Sequence, residues 1–505
     1  MHKSLPLMIQ GTSSDAGKSA IATALCRIFA QDGYKTAPFK SQNMALNSYV
    51  TLDGKEIGRA QGVQAEAAGV LATTDMNPIL IKPTRDSESQ IVVNGEPYKN
   101  MKAFAYRQEF FDEGLRIIEE SYQRLSASYE RIVIEGAGSP AEINLNDREL
   151  VNMRVARLTN APVILVADIE RGGVFASLVG TLQLLEPADR DRVIGVIINR
   201  FRGDVTLLQP GLDWFEEYTG KPVLGVVPFI PDLWIDAEDS LILHKYQGQR
   251  ETPREIDIAV LRYPRISNFT DVDPFFVEPD CRMRFVTRAE ELGEPDLIVL
   301  PGSKNTLEDL QFLRDTGLAA MVQKLHQSGR SYVVGLCGGY QMLGESIHDP
   351  EGVESPIKQL DGLGLIPMIT TMEKKKTTVL SRGEAVFAGE SVTVEGYEIH
   401  MGQSVYKTND APFIQMEERT EGYCQEESQL IGTYFHGLFH NDRLRTLLLN
   451  TIREKKGLAP IEDRPSFVAL REQGYDLLAD TVRSHVRLDV IEEQMRAYQE
   501  KEVRI

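Results

Sequence analysis

The stretch Leu5–Ser19, LPLMIQGTSSDAGKS, decides the fold of the first half of this chain. It runs from a short apolar segment through a glycine-containing turn to Lys18 and Ser19, which open an amphipathic segment ending near Gln31. A strand, a glycine turn and a helix that begins with Lys-Ser are typical of a P-loop, whose backbone N–H groups point toward phosphate oxygens. The stretch therefore predicts a nucleotide-binding α/β domain.

The side chains of this loop suit the binding of ATP and Mg²⁺. Lys18 supplies a mobile positive charge to the β- and γ-phosphates, and Ser19 is a predicted magnesium ligand. Thr12 stands where the first glycine of the usual pattern is expected, so a helix-capping turn with an incidental lysine is the alternative interpretation. The predicted ATP-binding residues of the loop are Gly11, Thr12, Asp15, Gly17, Lys18 and Ser19.

Four further apolar runs of strand length follow, and each is rich in Val or Ile: 131–135, 162–167, 193–198 and 222–227. Runs of this kind, separated by helical patterns, favour a mostly parallel sheet that is covered on both faces. Glu135 ends the first run and would face the ligand crevice, where its carboxylate can complete a magnesium site with Ser19. Asp53, in TLDG, is a second predicted metal ligand, and an Asp-Gly turn is its equally simple alternative.

Length and composition set limits on the whole molecule. The 505 residues are too many for one hydrophobic core, and the net charge of −19 argues against nucleic acid as a main partner. The four cysteines include no C-x-x-C pair, and no apolar run is long enough to cross a bilayer, which predicts a cytoplasmic chain without a membrane partner. The polar segment 244–255 is a predicted linker. We expect an ATP-binding domain (1–245), a second α/β domain (255–445) and a helical C-terminal extension (446–505).

A second reactive motif lies in the C-terminal half. Residues 332–336 predict a strand, Cys337 follows, and GGYQMLG at 338–344 opens a helix. This pattern predicts a nucleophile elbow with cysteine in place of serine, and a helix N-terminus beneath the sulfur favours the reactive thiolate. A small buried core residue is the alternative role for Cys337.

A cysteine nucleophile needs a base and donors for the oxyanion. His436, in GTYFHG, is the predicted general base, and His400 and His440 are alternatives that the sequence leaves open. The strand end at LPGS places Gly302 near the elbow. The backbone N–H groups of Gly302 and Gly338 are the predicted oxyanion donors.

The first motif carries a family resemblance. The phosphate loop together with EGAG at 135–138 resembles the dethiobiotin synthetase group of ATP-dependent enzymes. In that group a substrate carboxylate is phosphorylated rather than adenylylated, and acidic residues at corresponding positions hold Mg²⁺. The resemblance implies the same chemistry here, and it implies that Asn199 contacts adenine.

The second motif resembles another family. Residues 256–445 are similar to a class I glutamine amidotransferase domain, in which Cys337 would release ammonia from glutamine. That family usually carries His-x-Glu, but the residue two positions after His436 is Leu438. This lack is typical of the cobyrinate branch of the family. It leaves open what orients His436, for which Glu398 is a candidate.

Longer strings resemble the cobyric acid synthase family over about residues 5–450. They are PFKSQNM (38–44), DGKEIGRAQ (53–61), NPILIKP (77–83), DIERGGVF (168–175) and RYPRISNFTD (262–271). The resemblance implies ATP- and glutamine-dependent amidation of the b, d, e and g carboxylates of adenosylcobyrinic acid a,c-diamide in cobalamin biosynthesis. A corrinoid with several carboxylates needs cationic and amide contacts, and the candidates are Lys40, Asn43, Arg59, Gln61, Lys82 and Arg85.

Two other functions are the alternatives. The a,c-diamide synthase acts earlier in the same pathway and shares both domains, but it should lack the QNM (42–44) and RISN (265–268) strings. An ATP switch of the MinD/ParA type binds a partner instead of making a product. Such loops usually carry an extra lysine where this chain has Ser13. The sequence does not set the oligomeric state.

Overall fold

The computed structural model describes residues 4–85, 87–231, 233, 254–408 and 411–502, so most of the predicted linker lies outside the described residues. The strands of the first part are β1 (Leu5–Gly11), β2 (Thr36–Phe39), β3 (Gln42–Met44), β4 (Ser48–Val50), β5 (Glu56–Gly58), β6 (Ile79–Arg85), β7 (Glu88–Val93), β8 (Glu96–Lys102), β9 (Arg131–Glu135), β10 (Val163–Asp168), β11 (Val193–Phe201) and β12 (Val223–Pro228). Its helices are α1 (Lys18–Gln31), α2 (Arg59–Ala67), α3 (Ala103–Glu109), α4 (Phe111–Ser128), α5 (Met153–Leu158), α6 (Val174–Leu184), α7 (Pro187–Arg192) and α8 (Val205–Thr219).

A parallel sheet forms the core of this first part. Its strand order is β12-β11-β10-β1-β9-β2, and every neighbouring pair runs parallel. Helices cover both faces of such a sheet, so its central strands are apolar throughout, as the fully buried Ile132, Val133 and Ile134 illustrate. The α/β fold with a mostly parallel sheet, predicted from the sequence, is confirmed.

A smaller layer is inserted between β2 and β9. Its four strands have the order β3-β6-β7-β8, and β4 and β5 pair as a separate antiparallel hairpin. Successive residues of a strand point to opposite faces, so β6 presents Ile81 to one side and Lys82 to the other. Each of these two residues lines a different cavity, and the layer is therefore a wall between the two cavities.

The second part is also an α/β unit. Its strands are β13 (Ile256–Leu261), β14 (Ile266–Ser267), β15 (Cys281–Val286), β16 (Leu297–Leu300), β17 (Gly302–Ser303), β18 (Tyr332–Leu336), β19 (Ser346–His348), β20 (Gln359–Asp361), β21 (Met368–Phe387), β22 (Glu390–Tyr406), β23 (Pro412–Gln415), β24 (Thr420–Gln425) and β25 (Leu430–Thr433). Its helices are α9 (Ala289–Leu292), α10 (Thr306–Asp315), α11 (Leu318–Gln327), α12 (Gly338–Leu343) and α13 (Asp442–Lys455). The main sheet follows the order β15-β13-β16-β18-β25-β24-β23-β21-β19-β20, and β22 pairs with β21 in a long hairpin.

The chain ends in two helices, α14 (Phe467–His485) and α15 (Leu488–Glu502). They follow the second part in sequence but pack on the first part. Leu478 and Val482 of α14 share a buried cluster with Leu25 of α1, and Arg27 of α1 pairs with Asp476 at 2.8 Å. Within the described residues, none of the helices has the length and apolar character that a membrane crossing requires.

Candidate active site

The phosphate loop joins β1 to α1 with a backbone that only glycine can follow. Gly17 has a φ of 99°, and a Cβ atom there would lie 1.9 Å from Asn199 Nδ2. Lys18 Nζ donates hydrogen bonds to the carbonyl oxygens of Ser13 at 2.9 Å and Gly138 at 3.2 Å. The following predicted ATP-binding residues line one cavity of about 890 Å³: Asp15, Gly17, Lys18 and Ser19.

The other predicted nucleotide contacts, Gly11, Thr12 and Asn199, lie at or next to the ends of the strands beside the loop. Gly11 is the last residue of β1, and Thr12 N–H donates to Val166 O at 3.0 Å. Asn199 is buried and its Nδ2 donates to Ala16 O at 3.1 Å. This bond fixes the turn at the position where the helix begins. Contact between Asn199 and adenine stays a prediction.

Glu135 is the centre of a buried polar cluster beside α1. Its Oε1 accepts from Ser19 Oγ at 2.7 Å and from Lys40 Nζ at 3.0 Å, and its Oε2 accepts from Gln64 Nε2 at 2.5 Å. Two predicted magnesium ligands, Ser19 and Glu135, thus lie together next to the phosphate loop. Mg²⁺ usually takes one or two protein oxygens and completes its shell with phosphate and water, so the pair fits this ion. Among the described residues, no three His, Cys, Asp or Glu side chains form a metal cluster of their own.

The structure places Asp53 away from this pair, which corrects its predicted metal role. Asp53 is exposed in the turn between β4 and β5, where Thr51 Oγ1 donates to its carboxylate at 2.5 Å. A Cβ on Gly54 would lie 3.0 Å from Thr378 O, so the turn faces β21 rather than α1. With Gly54 at a φ of 74°, the Asp-Gly turn is the interpretation that the structure supports.

The cavity above the phosphate loop has room for more than a nucleotide. Its far walls are largely apolar and come from Met44, Val63, Ile81, Ile91, Met101, Tyr106 and Phe111. Two predicted substrate contacts, Lys40 and Asn43, line it. Three cations that sequence analysis missed also line it, namely Arg107, Arg148 and Arg200. Arg107 and Arg148 lie in polar segments without a recognisable motif, and Arg200 lies near the end of β11, directly after Asn199.

The other predicted substrate contacts lie outside this cavity. The Arg59 guanidinium lies 5.8 Å from the Tyr49 ring centre. Gln61 accepts a hydrogen bond at 3.1 Å from Asn43, which lines the cavity, so Gln61 helps to position the wall. Arg85 lies 3.7 Å from Glu308 in the second part.

Lys82 requires a correction of its predicted corrin contact. It points to the opposite side of β6, donates to Ser48 Oγ at 2.8 Å and pairs with Glu56 at 2.5 Å. There it lines the small cavity around Cys337. The alternation of side chains along a strand explains why Lys82 is turned away although its neighbour Ile81 faces the large cavity.

Cys337 occupies the predicted elbow between β18 and α12. Its φ of 50° and ψ of −107° are strained for a residue with a side chain. A Cβ on Gly339 would lie 1.9 Å from Leu300 O, so the elbow packs too closely for any other residue. The sulfur lies next to the N-terminus of α12 and lines a polar cavity of about 30 Å³. This setting suits a nucleophile rather than a core residue.

The two predicted oxyanion glycines flank the elbow. Gly338 lines the cavity beside Cys337, and a Cβ there would lie 2.8 Å from Ser303 N. Gly302 lies in β17, where a Cβ would come within 3.2 Å of His436 Cε1. Their positions are compatible with oxyanion binding, and this role stays a prediction.

His436 is fully buried and is held by a carboxylate that the sequence analysis missed. Its Nδ1 lies 2.7 Å from Asp271 Oδ2, while Gly437 N–H donates to Asp271 Oδ1 at 2.8 Å. Burial opposes the charged ring, but Asp271, and to a smaller extent a hydrogen-bonded Cys337, raise the pKa of His436 to about 10. Cys337, His436 and Asp271 therefore lie in the order expected of a nucleophile, a proton carrier and an orienting group, and these roles stay a prediction.

The other candidates for these roles are engaged elsewhere. Glu398 accepts from Ser381 Oγ at 2.6 Å and pairs with Arg419, so it does not orient His436. His400 lines the Cys337 cavity, but its Nδ1 donates to Gly402 O at 2.8 Å and its Nε2 lies 3.6 Å from Glu398. His440 lies against the carbonyl of Thr270 at 3.2 Å. The geometry therefore favours His436 over His400 and His440 as the base, and its catalytic role stays a prediction.

The first part of the chain contacts the surroundings of His436 directly. Ser48 N–H in β4 donates to Asn268 Oδ1 at 2.9 Å, and Asn268 Nδ2 lies 3.3 Å from His436 Nε2. Tyr397, which stacks on the His436 ring, donates through its hydroxyl to Ser48 O at 3.4 Å. The two halves of the molecule thus share one cluster at the base of the cysteine site.

Comparisons with known proteins identify a family for each part of the chain. Residues 7–242 match the family model of the CobQ/CobB/MinD/ParA nucleotide binding domain, and residues 257–444 match that of the CobB/CobQ-like glutamine amidotransferase domain. The chain is 65% identical to a cobyric acid synthase of Geobacillus sp. (strain WCH70), covering 100% of both chains. It is 62% identical to that of Anoxybacillus flavithermus (99% of both) and 48% identical to that of Desulfitobacterium hafniense strain DSM 10664 / DCB-2 (97% of both).

Proposed function

The chain belongs to the cobyric acid synthase family, and we propose that it uses ATP and glutamine to amidate the b, d, e and g carboxylates of adenosylcobyrinic acid a,c-diamide. The observation that carries the proposal is the pairing, in one chain, of the phosphate-loop cavity with the Cys337–His436–Asp271 cluster. A MinD/ParA-type switch would have no use for the second site. A cytoplasmic location, where ATP and glutamine are available, stays a prediction.

The cysteine site is suited to release ammonia from glutamine. The Cys337 thiolate attacks the side-chain amide carbon, and the N–H groups of Gly302 and Gly338 stabilise the oxyanion. His436, protonated and oriented by Asp271, donates its Nε2 proton to the leaving nitrogen, so that ammonia departs and a thioester remains. Water then attacks the thioester while neutral His436 takes up its proton, which frees glutamate and restores the ion pair.

The phosphate-loop site is suited to activate a carboxylate. Backbone N–H groups around Gly17 and the Lys18 ammonium bind the phosphates, and Ser19 with Glu135 would hold Mg²⁺, which supplies charge neutralisation there. A corrin carboxylate attacks the γ-phosphorus, ADP leaves, and an acyl phosphate forms. Ammonia then attacks the acyl carbon and expels phosphate. The apolar walls suit the corrin ring, and Lys40 and Asn43 suit its carboxylate and amide side chains.

The arrangement of the two cavities supports transfer of ammonia between them. Ile81 lines the activation cavity and its neighbour Lys82 lines the cysteine cavity, so one strand of the inserted layer separates the two. Lys82, Lys304 and Lys376 all line the cavity where nitrogen is released. Ammonia is nucleophilic only in its neutral form, so it has to reach the acyl phosphate without taking up a proton.

Product analysis with purified protein tests the proposal. With ATP, Mg²⁺, glutamine and adenosylcobyrinic acid a,c-diamide, mass spectrometry should detect the fully amidated adenosylcobyric acid. The Cys337→Ala variant should lose glutamine-driven synthesis but keep synthesis from added ammonium salt, because only nitrogen release needs the sulfur. Failure of the unaltered chain to amidate the corrinoid, or equal loss of both activities in Cys337→Ala, would refute the proposed division of labour.

A further inference from the structure

The cavity at Cys337 contains two charged side chains that no step above uses. Lys304 follows β17 in the loop that also carries Gly302, and Glu354 lies in the loop between β19 and β20. Both line the same small cavity as Cys337. Within the described residues neither side chain belongs to an ion pair shorter than 4.0 Å, and Glu354 is hydrogen-bonded by Thr306, whose N–H lies 3.3 Å from it.

The other charges in this cavity are compensated. Lys82 and Lys376 both pair with the fully buried carboxylate of Glu56. Although burial opposes its charge, these two ammonium groups hold the pKa of Glu56 well below its usual value. Lys304 and Glu354 are therefore the charges in the cavity that still have room for a partner.

Burial acts on these two groups in opposite directions. Removal from water lowers the pKa of Lys304 and raises the pKa of Glu354, because each charge is desolvated without a direct counter-ion. Their mutual attraction offsets only part of this effect. A ligand that brought one carboxylate and one ammonium group would supply both missing partners at once.

The backbone holds both groups firmly in place. Asp349 accepts hydrogen bonds from the N–H groups of Val353, Glu354 and Ser355, at 2.7 to 2.9 Å, and so fixes the loop that carries Glu354. Lys304 N–H donates to Arg265 O at 2.9 Å. The two charges are thus built into ordered loops on the rim of the nucleophile's cavity, which reduces the entropic cost of binding a ligand there.

We propose that Lys304 binds the α-carboxylate and Glu354 the α-ammonium group of the glutamine whose amide is attacked by Cys337. The proposal rests on the proposed glutaminase function and assigns the residues that distinguish a free amino acid from other primary amides. A cavity of about 30 Å³ holds about one water molecule, so the binding of glutamine requires the walls around Cys337 to widen.

Truncated substrates test each contact separately. Glu354→Gln should lower kcat/KM for glutamine hydrolysis about 10- to 100-fold, the cost of one charge-assisted hydrogen bond. It should leave unchanged the slow hydrolysis of glutaramate, which lacks the α-ammonium group. Lys304→Met should likewise lower kcat/KM for glutamine but not for 4-aminobutanamide, which lacks the α-carboxylate. Ammonia released into solution is the readout in each case.

A neighbouring carboxylate provides the matched control. Glu351 lies in the same loop but is exposed and pairs with Lys374, so Glu351→Gln should leave every rate unchanged. Ammonia-driven synthesis by each variant verifies folding. Equal losses with glutamine and with the truncated substrate, or no loss with glutamine, would overturn the assignment. An unaltered chain that fails to hydrolyse glutamine would instead refute the proposed function itself.

Discussion

Replacing Asp271 with asparagine tests the cysteine site most directly. Asp271 uses both oxygens, one for the His436 ring and one for Gly437 N–H. An asparagine has one oxygen, and the Gly437 N–H donor holds it in place. The amide NH₂ then faces His436 Nδ1 as a donor, so the ring proton moves to Nε2. In that tautomer the ring cannot take a proton from Cys337, and the thiolate–imidazolium pair is not formed.

The size of the effect follows from the pKa of His436. Its rise from 6.5 to about 10 corresponds to about 5 kcal/mol in favour of the imidazolium. Asp271 contributes more to this rise than Cys337 does, so its loss removes a substantial part of the stabilisation of the imidazolium. The wrong tautomer adds to this loss, and Asp-to-Asn changes in comparable triads cost about 10⁴-fold. We therefore expect a loss of about 10²- to 10⁴-fold.

Two assays on the same protein separate this effect from misfolding. Glutamine hydrolysis by Asp271→Asn should fall by that factor, and alkylation of Cys337 by iodoacetamide at pH 7 should slow in parallel. Ammonia-driven amidation should stay near the unaltered rate. Glu398→Gln serves as the comparison, because Glu398 contacts Ser381 and Arg419 instead of His436 and should change hydrolysis little. Hydrolysis by Asp271→Asn within about threefold of normal would refute the reasoning.

Three further substitutions address the remaining catalytic groups. Lys18→Ala should abolish amidation from glutamine and from ammonia alike, measured by corrinoid product, and ammonia-driven turnover that survives would contradict its role at the phosphates. His436→Asn should slow glutaminase by about 10³-fold or more, and a near-normal rate would favour His400 as the base. Glu135→Gln should lower ammonia-driven synthesis about 100-fold or more and weaken its Mg²⁺ dependence, whereas Asp53→Asn should leave both unchanged; the opposite ranking would restore Asp53 as a metal ligand.

Local sequence was sufficient to predict the two reactive loops. The strand before Gly11, the glycine at 17 and the helix from Lys18 are contiguous, so their spacing alone defines the phosphate loop. The elbow at Cys337 is equally local, because the strand, the nucleophile and the glycines follow one another. In both cases steric crowding permits only glycine at key positions, and that requirement is visible in the sequence.

Contacts between distant segments were not predictable in this way. Asp271 lies 165 positions before His436, and no periodicity joins the two, although the string that contains it had already been noted for its resemblance. Lys82 appears in a similarly distinctive string, yet its side of β6 depends on strand register. The distinctive sequence around Lys82 therefore indicated a candidate functional residue. It did not indicate which of the two cavities the Lys82 side chain lines.

The C-terminal extension illustrates the same limit at the level of domains. Its amphipathic pattern predicted helices, and α14 and α15 confirm them, but an apolar face does not identify the surface that it covers. In the structure, α14 packs on α1, the helix that begins at the phosphate loop. The first part of the chain contacts the second part at the cysteine site, through Ser48 of β4 and Asn268. It contacts the C-terminal helices at α1. The two sites are thus held in one arrangement by contacts between segments hundreds of residues apart, which explains why motifs alone located each site but not their relation.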